Sequence, residues 1–276
     1  MTPIVIGGLG GSGTRLIAKL LISSGVYMGN DLNGAFDNLL FHYLIIRRKL
    51  PDFRKFDSYI SIFEKIMTRD KLNVCDNLKL TKVFFSDIIL RSFSFKFIVK
   101  RLINLIGSRC KSQNTKIWGW KNPGTSIFLK KLANYYNDLK YIHVIRHGLD
   151  MAYSRNKHQL NNWGILYGIN VPEDNDLIPV AQLEYWIKAN KKTLKLSKTI
   201  RKDSFYLLNF DELCTNPHEN IRKLFEFLYL KLDSKTFEKL IKIVRIPSSM
   251  GRWKSKDISI FNDNQLNEVV GLGFKL

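Results

Sequence analysis

The sequence predicts an α/β fold: three layers around a mostly parallel sheet, formed by a single domain over residues 1–276. Short apolar, β-branched segments alternate along the chain with segments of helical periodicity. Apolar residues make up 45% of the chain, and 18 Phe, 11 Tyr and 5 Trp can fill a sizeable core. A glycine-rich turn joins the first predicted strand to the first predicted helix.

The N-terminal segment predicts a strand, a turn and a helix. Residues 3–7 read PIVIG, which is typical of a short buried strand. Residues 14–24 place Leu and Ile at helical spacing, and Gly25 is a suitable end for that helix.

A helical insertion is predicted over residues 31–113, covering one face of the sheet. This segment is aromatic and basic and has few strand signals. Its clearest helical stretches are residues 38–49 and 87–106.

The remaining elements continue the alternation of strands and helices. Strands are predicted at residues 116–120, 140–145 and 204–209. Helices are predicted at residues 123–136, 148–157 and 180–199, and from residue 216 onward. Asn216 is expected to cap that last helix, with Pro217 in its first turn. Residues 161–179 and the polar tail from 248 are predicted loops.

Composition limits the class of protein and its partners. The net charge of +20 favours a polyanionic contact, although dispersed surface lysines would give the same total. Three Cys far apart indicate neither a zinc site nor a disulfide framework, and they fit a reducing cytoplasm. The first apolar run is broken by glycines and is not expected to be a signal peptide, and no apolar run reaches the ~18 residues of a membrane-spanning helix. We therefore expect a cytoplasmic protein of undetermined oligomeric state.

The first candidate site is the sequence GGLGGSGTR at residues 7–15. Successive glycines allow backbone N–H groups to converge on one anion, and the helix N-terminus adds a positive dipole. Ser12 and Thr14 add hydroxyl groups, and Arg15 adds a charge suited to phosphate or sulfate. The turn lacks the Gly-Lys-Ser/Thr ending of a Walker A loop, and no acidic residue follows at the position that a dinucleotide-binding fingerprint requires.

The second candidate site follows the strand at residues 140–145. Arg146 leaves that strand, and Ser154 is expected about two turns into the next helix. An arginine and a hydroxyl suit a second phosphate. Both sites should lie at one sheet edge, because parallel strands end on the same side. We expect no carboxylate to occupy either site.

Five motifs in order resemble the sulfotransferase family that uses 3'-phosphoadenosine-5'-phosphosulfate (PAPS), particularly its bacterial members. The sequence GSGTR at 11–15 resembles the 5'-phosphosulfate loop, and Arg146 with Ser154 has the spacing of the 3'-phosphate motif. WGWKNP at 118–123, FDEL at 210–213 and GRWK at 251–254 match later motifs.

The resemblance implies a PAPS-dependent enzyme with a P-loop-like fold and no metal. Arg15 and Lys121 would then stabilise the transferring sulfuryl group. The donor would be bound by Gly11, Ser12, Gly13, Thr14, Arg15, Arg146, Ser154, Arg252, Trp253 and Lys254.

This chain departs from the family pattern in several places. Gly11 replaces a basic residue, and Arg15 is expected to supply that charge from another position. His147 and Gly148 replace the usual residues after the arginine, with an effect expected only on the turn. The loop at 251–254 lacks a full basic run. Trp253 could stack on adenine, although ordinary packing is the commoner role of such a residue.

The general base and the acceptor are not assigned from sequence. In many relatives a histidine follows the motif lysine, but here Asn122 and Pro123 follow Lys121. Asp31, Asp37, His42 and His158 are alternatives. The acceptor would offer a hydroxyl or an amine. A carbohydrate or small metabolite is expected, and the basic insertion would also suit an anionic acceptor.

Two other functions compete with sulfuryl transfer. A P-loop-like nucleotide kinase or other phosphoryl transferase could use the same turn, but the phosphate-bridging lysine is missing. A nucleic-acid-binding protein would fit the charge, but the basic residues are dispersed and no known reader motif occurs.

Overall fold

A computed structural model describes residues 2–46, 56–89, 99, 100, 103 and 117–276. Four of its strands form one parallel sheet in the order β2-β1-β3-β4. They are β1 (Ile4–Gly8), β2 (Gly119–Lys121), β3 (Lys140–Ile145) and β4 (Phe205–Asn209). The prediction of an α/β fold with a parallel sheet is confirmed.

Helices connect successive strands and follow β4. The α-helices are α1 (Thr14–Ser23), α2 (Leu39–Phe41), α3 (Phe56–Thr68), α4 (Val74–Ile89), α5 (Leu129–Tyr135), α6 (Gly148–Ala152), α7 (His158–Trp163), α8 (Ile178–Ser197), α9 (Phe210–Thr215), α10 (Pro217–Phe227), α11 (Ser234–Ile243) and α12 (Asp263–Gly271). A π-helical turn, His42–Ile46, extends α2. Short 3₁₀ segments are Pro123–Phe128, Gly164–Tyr167, Asn175–Leu177, Lys202–Ser204 and Arg252–Ser255.

The sheet is the middle of three layers. Side chains alternate between the two faces of a strand, so Val5 and Tyr141 pack with the core that includes α2, α3, α4 and α5. Ile6 and Ile142 point to the opposite face and pack with α1, α10 and α11. Both faces are therefore buried, which explains the nearly continuous apolar strands.

The predicted insertion contains helices where the structure describes it. The stretch predicted at 38–49 forms α2 and its π-helical turn as far as Ile46, and the rest lies outside the described residues. Of the stretch predicted at 87–106, α4 reaches Ile89, and residues 99, 100 and 103 are helical.

The helix predicted at 148–157 was wrong in length, because α6 ends at Ala152. The side chain of Gln182, on α8, donates to the carbonyls of Ala152 and Ser154 at 2.6 and 3.0 Å. The Ser154 hydroxyl also accepts the N–H of Asn156 at 3.2 Å. These bonds compete with continued helix, so Ser154 lies just past α6 rather than two turns inside it.

Two other predictions near the C-terminus were wrong. Asn216 precedes α10, but its side chain does not cap the helix; it donates to Glu219 at 3.2 Å. The tail predicted as loop contains α12, which begins with a capping box between Asn262 and Gln265. The buried side chain of Val269 anchors this helix to the core.

His143 is a fully buried ionisable side chain on β3. Its Nε2 lies 2.9 Å from the Asn190 amide oxygen, and its ring centroid lies 6.3 Å from that of Tyr141 and 6.2 Å from that of Phe205. Burial lowers the pKa of His143 to about 4, although the bond to Asn190 opposes this shift. The imidazole is therefore neutral in the folded protein at neutral pH.

His143 should make folding stability depend on pH. The unfolded histidine has a pKa of about 6.5, so between pH 6.5 and 4 the unfolded state binds more protons and acid favours unfolding. We expect this residue alone to lower the free energy of unfolding by about 2 kcal/mol between pH 7 and 5. Urea unfolding at both pH values should show a smaller decrease in His143→Gln than in wild type, whereas His158→Gln should behave like wild type.

Candidate functional site

The two candidate anion-binding segments follow neighbouring strands. Strands β1 and β3 pair in parallel, and Gly8 at the end of β1 is opposite Val144. The glycine-rich turn and Arg146 therefore emerge side by side at the carboxyl edge of the sheet. The prediction that they share this edge is confirmed.

The glycine-rich turn presents unused hydrogen-bond donors. Gly11 and Gly13 have φ angles of 97° and 98°, a conformation that suits glycine. The backbone N–H groups of Gly11, Gly13, Thr14 and Arg15 make no hydrogen bond with any other described residue. They surround the N-terminus of α1, where the helix dipole favours an anion.

Ser12 adds a buried hydroxyl to these donors. Its side chain is 1% exposed, yet its Oγ has no hydrogen-bond partner among the described residues. Such an atom is costly unless a ligand or water satisfies it. Its own backbone N–H is already used, since it donates to the Leu9 carbonyl at 3.0 Å.

A residue that the sequence did not single out secures the outer part of the turn. The N–H of Gly10 donates to the Gln159 side chain at 2.6 Å, and Gln159 belongs to α7. The segment after β3 is thus fixed to the turn after β1. No local pattern around Gln159 marks this contact, because the two residues are 149 positions apart.

Arg146 is buried at the end of β3. Its Nη2 donates to the carboxylate of Asp150 at 3.1 Å and to the carbonyl and hydroxyl of Ser249. The expectation that no carboxylate would occupy this site was therefore wrong. Asp150 approaches one end of the guanidinium only, and Nε has no partner among the described residues.

Asp150 is the central acid of this pocket. It is 1% exposed and, besides Arg146, it accepts the N–H groups of Gly251 at 2.8 Å and Trp253 at 3.3 Å. Its carboxylate therefore joins the strand end to the late loop at 249–253. The sequence indicated only its favourable place near a helix N-terminus, since its loop partners lie about a hundred residues later.

Further cations lie around Arg146. Arg252 donates to the carbonyl of Ser249 at 3.1 Å. Burial lowers the pKa of Arg252, and the charges of Arg146 and Arg155 contribute to this effect. Arg155 was not among the predicted site residues. Lys254 is exposed and makes no ion pair with a described residue.

A second carboxyl group, on Asp211, borders the pocket. It accepts the N–H of His147 at 2.8 Å. Burial raises the pKa of Asp211, and the neighbouring Arg146 opposes the increase. Its other oxygen has no partner among the described residues.

The predicted serine of this pocket lies beside the glycine-rich turn. The Oγ of Ser154 is 3.9 Å from the position that a Cβ on Gly11 would occupy. The structure therefore brings Ser154 to the glycine-rich turn, even though it is not on a helix.

Lys121, at the end of β2, is paired with an acid. Its Nζ lies 2.6 Å from the carboxylate of Asp37 and donates to the Ala35 carbonyl at 3.1 Å. Burial lowers the pKa of Lys121; Asp37 opposes the decrease, and the charge of Arg15 adds to it. Arg15 therefore lies near Lys121, and it is exposed with no ion pair to a described residue.

Among the described residues no group of three or more His, Cys, Asp or Glu side chains is arranged to hold a metal ion. Nor does this part of the chain contain a helix of the length and apolarity that crossing a membrane requires.

A comparison with known protein families gives the same family as the motifs at the sheet edge. A model of the sulfotransferase family matches residues 3–234. This chain belongs to the sulfotransferase family. It is a transferase enzyme that moves a sulfuryl group, and the motifs resembling that family lie at one edge of the sheet.

Solved structures of sulfotransferases have the same fold. The sulfotransferase domain of the Synechococcus PCC 7002 olefin synthase is 14% identical with a TM-score of 0.54, and the alignment covers 100% of this chain and 96% of that one. The sulfotransferase domain from the curacin biosynthetic pathway is 11% identical with a TM-score of 0.56, covering 100% and 99%. No curated protein matches this sulfotransferase by sequence.

The close packing of the glycine-rich turn predicts unequal effects of adding a methyl group. A Cβ on Gly13 would lie 2.0 Å from the Phe210 ring, and the residue would have to keep a positive φ. A Cβ on Gly10 would be 3.3 Å from its nearest neighbour, the Gln159 side chain. We expect Gly13→Ala to lower the free energy of unfolding by about 2–5 kcal/mol. Gly10→Ala should cost less than half as much. Urea unfolding measures both, and equal losses would contradict the described turn.

Proposed function

We propose that this sulfotransferase takes its sulfuryl group from PAPS and transfers it to a hydroxyl or amine. The observation that supports this most directly is the set of unused donors at residues 11–15, with the buried Ser12 hydroxyl among them. A 5'-phosphosulfate would satisfy these groups. Arg146, on the adjacent strand end, offers an unbonded Nε to a second phosphate.

The donor would lie across β1 and β3. Gly11, Ser12, Gly13 and Thr14 would bind the 5'-phosphate. Arg146, Ser154 and Arg252 would bind the 3'-phosphate, with Arg155 adding positive charge nearby. Trp253 and Lys254 would complete the donor site from the late loop.

Arg15 and Lys121 would stabilise the transition state. Sulfuryl transfer spreads negative charge over the equatorial and bridging oxygens, as phosphoryl transfer does, so fixed cations lower its barrier. When PAPS is bound, it supplies an activated sulfur with adenosine 3',5'-bisphosphate as the leaving group. Lys121 would leave Asp37 to contact the bridging oxygen.

Asp37 is the best placed of the four candidate bases, since it contacts Lys121 directly. Its other carboxylate oxygen accepts from Asn33 at 2.9 Å, which fixes its orientation. Asp37 would take the proton from the acceptor as the new oxygen–sulfur or nitrogen–sulfur bond forms and the bond from sulfur to the 5'-phosphate oxygen breaks.

We retain the predictions of one domain and of a cytoplasmic enzyme. The second is supported by Cys75 and Cys214, which are free thiols. The acceptor stays a proposal at the level of chemical class: a carbohydrate or small metabolite.

Binding measurements on Ser12 test the donor. Ser12→Ala removes a hydroxyl that has no partner in the free protein, so its stability should not fall. Its affinity for adenosine 3',5'-bisphosphate should fall about 10-fold, the value of one hydrogen bond to a charged group. Thr125→Val is the matched control, because Thr125 is also buried with an unpaired hydroxyl. It should keep wild-type affinity.

The same titrations, by calorimetry, distinguish a PAPS-dependent sulfotransferase from a nucleotide kinase or other phosphoryl transferase. Wild type should bind adenosine 3',5'-bisphosphate and bind ATP much more weakly. Binding of ATP but not of the bisphosphate would overturn the PAPS proposal and favour a phosphoryl transferase.

Variants at the two sites should separate binding from turnover. Arg146→Ala should weaken binding of adenosine 3',5'-bisphosphate about 30–100-fold, because it removes charge-assisted hydrogen bonds. Lys121→Ala should lower kcat about 100–1,000-fold with a smaller effect on affinity. Asp37→Asn should also lower kcat while bisphosphate affinity stays unchanged.

Lys19→Ala serves as the control, since Lys19 is exposed on α1 beyond the turn. Arg146→Lys guards against loss of folding, because it keeps a cation beside the buried Asp150. Wild-type binding by both Arg146 variants, or wild-type turnover by Lys121→Ala, would contradict the assigned roles. Labelled PAPS with candidate glycans and metabolites measures turnover and identifies the acceptor.

A further inference from the structure

The sequence predicts that His147 affects only the turn after β3, but in the structure its side chain also contacts the C-terminal segment. Its Nδ1 accepts the N–H of Leu149 at 3.2 Å, which caps α6. Its Nε2 lies 2.8 Å from the backbone carbonyl of Lys275. With Nδ1 accepting from Leu149, Nε2 is the donor to the Lys275 carbonyl, and the ring bridges the strand end and the C-terminal segment.

The faces of the same imidazole ring are also occupied. The ring stacks on Trp253 with centroids 5.1 Å apart and planes 25° apart. Phe274 packs against it at 5.2 Å and also contacts Trp186. Phe274 is buried, so the segment after α12 is fixed in the core beside His147.

Trp253 is positioned by this arrangement and remains partly exposed. Its backbone N–H is bound to Asp150, the acid that also contacts Arg146. The indole therefore lies next to the proposed 3'-phosphate site, with His147 supporting part of its surface. An accessible indole beside a phosphate site is suited to stacking with a nucleobase.

We propose that His147, Phe274 and the Lys275 carbonyl form a clasp that positions Trp253 to stack on the base of the donor nucleotide. This inference rests on the proposed PAPS function. It makes the C-terminal segment part of the donor site, although that segment follows the residues matched by the family model. His147 and Phe274 are positioning residues, and Trp253 is the residue that touches the ligand.

The test compares two ligands that differ only in the base. One is adenosine 3',5'-bisphosphate, and the other is 1-O-methylriboside 3,5-bisphosphate, which has the same phosphates and no base. His147→Asn keeps a side-chain acceptor for the α6 cap but loses the aromatic ring. It should weaken binding of the adenosine compound about 10-fold, in the range expected for base stacking. Affinity for the base-free compound should stay within about twofold of wild type, because this ligand makes no contact that depends on the base.

Steady-state kinetics and a double variant give independent readouts. His147→Asn and Phe274→Leu should raise the KM for PAPS about 10-fold with kcat unchanged, if only ground-state base stacking is lost. In a Trp253→Leu background, His147→Asn should have no further effect on affinity, since both act through one contact. Leu276→Ala, at an exposed side chain of the same segment, should match wild type.

Three outcomes would overturn the clasp. Equal weakening of both ligands would place the effect on Arg146 rather than on the base. Unchanged adenosine affinity in His147→Asn, or additive effects with Trp253→Leu, would remove the role of His147. If wild type binds neither ligand, the PAPS proposal itself fails. If wild type binds the adenosine compound and the variants bind it equally well, only the clasp fails.

Discussion

The parallel pairing of β1 with β3 is the constraint on which the site depends. It brings the turn after Gly8 and the side chain of Arg146 to one edge, although Gly8 and Arg146 are 138 positions apart in the sequence. Without this pairing, each segment would be an isolated anion site. With it, the two sites are neighbours, and in the proposed function they would bind the two ends of one nucleotide. The insertion between β1 and β2 also reaches this edge, because Lys121 contacts Asp37 and the Ala35 carbonyl.

Buried charge around Arg146 is balanced by Asp150, and this balance also fixes the late loop. A buried arginine without an acid would be costly, as would a buried carboxylate without donors. Asp150 meets both requirements, because it accepts from Arg146 and from two backbone N–H groups of the loop. Arg146 Nη2 makes the bond to Asp150 and Nη1 donates to the Gly11 carbonyl at 3.4 Å, whereas Nε has no partner among the described residues. In the proposed function, this Nε would be the group left available to a phosphate.

Much of this arrangement could be predicted from local sequence. The strand, glycine turn and α1 follow from residues 3–24, and Arg146 follows a strongly apolar run. The end of α6 could not be predicted, because Gln182 causes it from a different helix. Likewise, Asp150 and Gln159 acquire their roles through contacts about a hundred or more residues away. The capping box of Asn262 and Gln265 is a local signal that could have revealed α12.

The pair formed by Lys121 and Asp37 explains how the lysine that we propose to be catalytic can be kept in a buried position. Burial alone disfavours the charged ammonium, and the nearby Arg15 disfavours it further. Asp37 opposes both effects through its charge and its hydrogen bond to Lys121. In the proposed reaction, an anion between Arg15 and Lys121 would replace Asp37 as the partner of the lysine. The Asp37 carboxylate, released from its ion pair, would then be free to accept the proton of the acceptor.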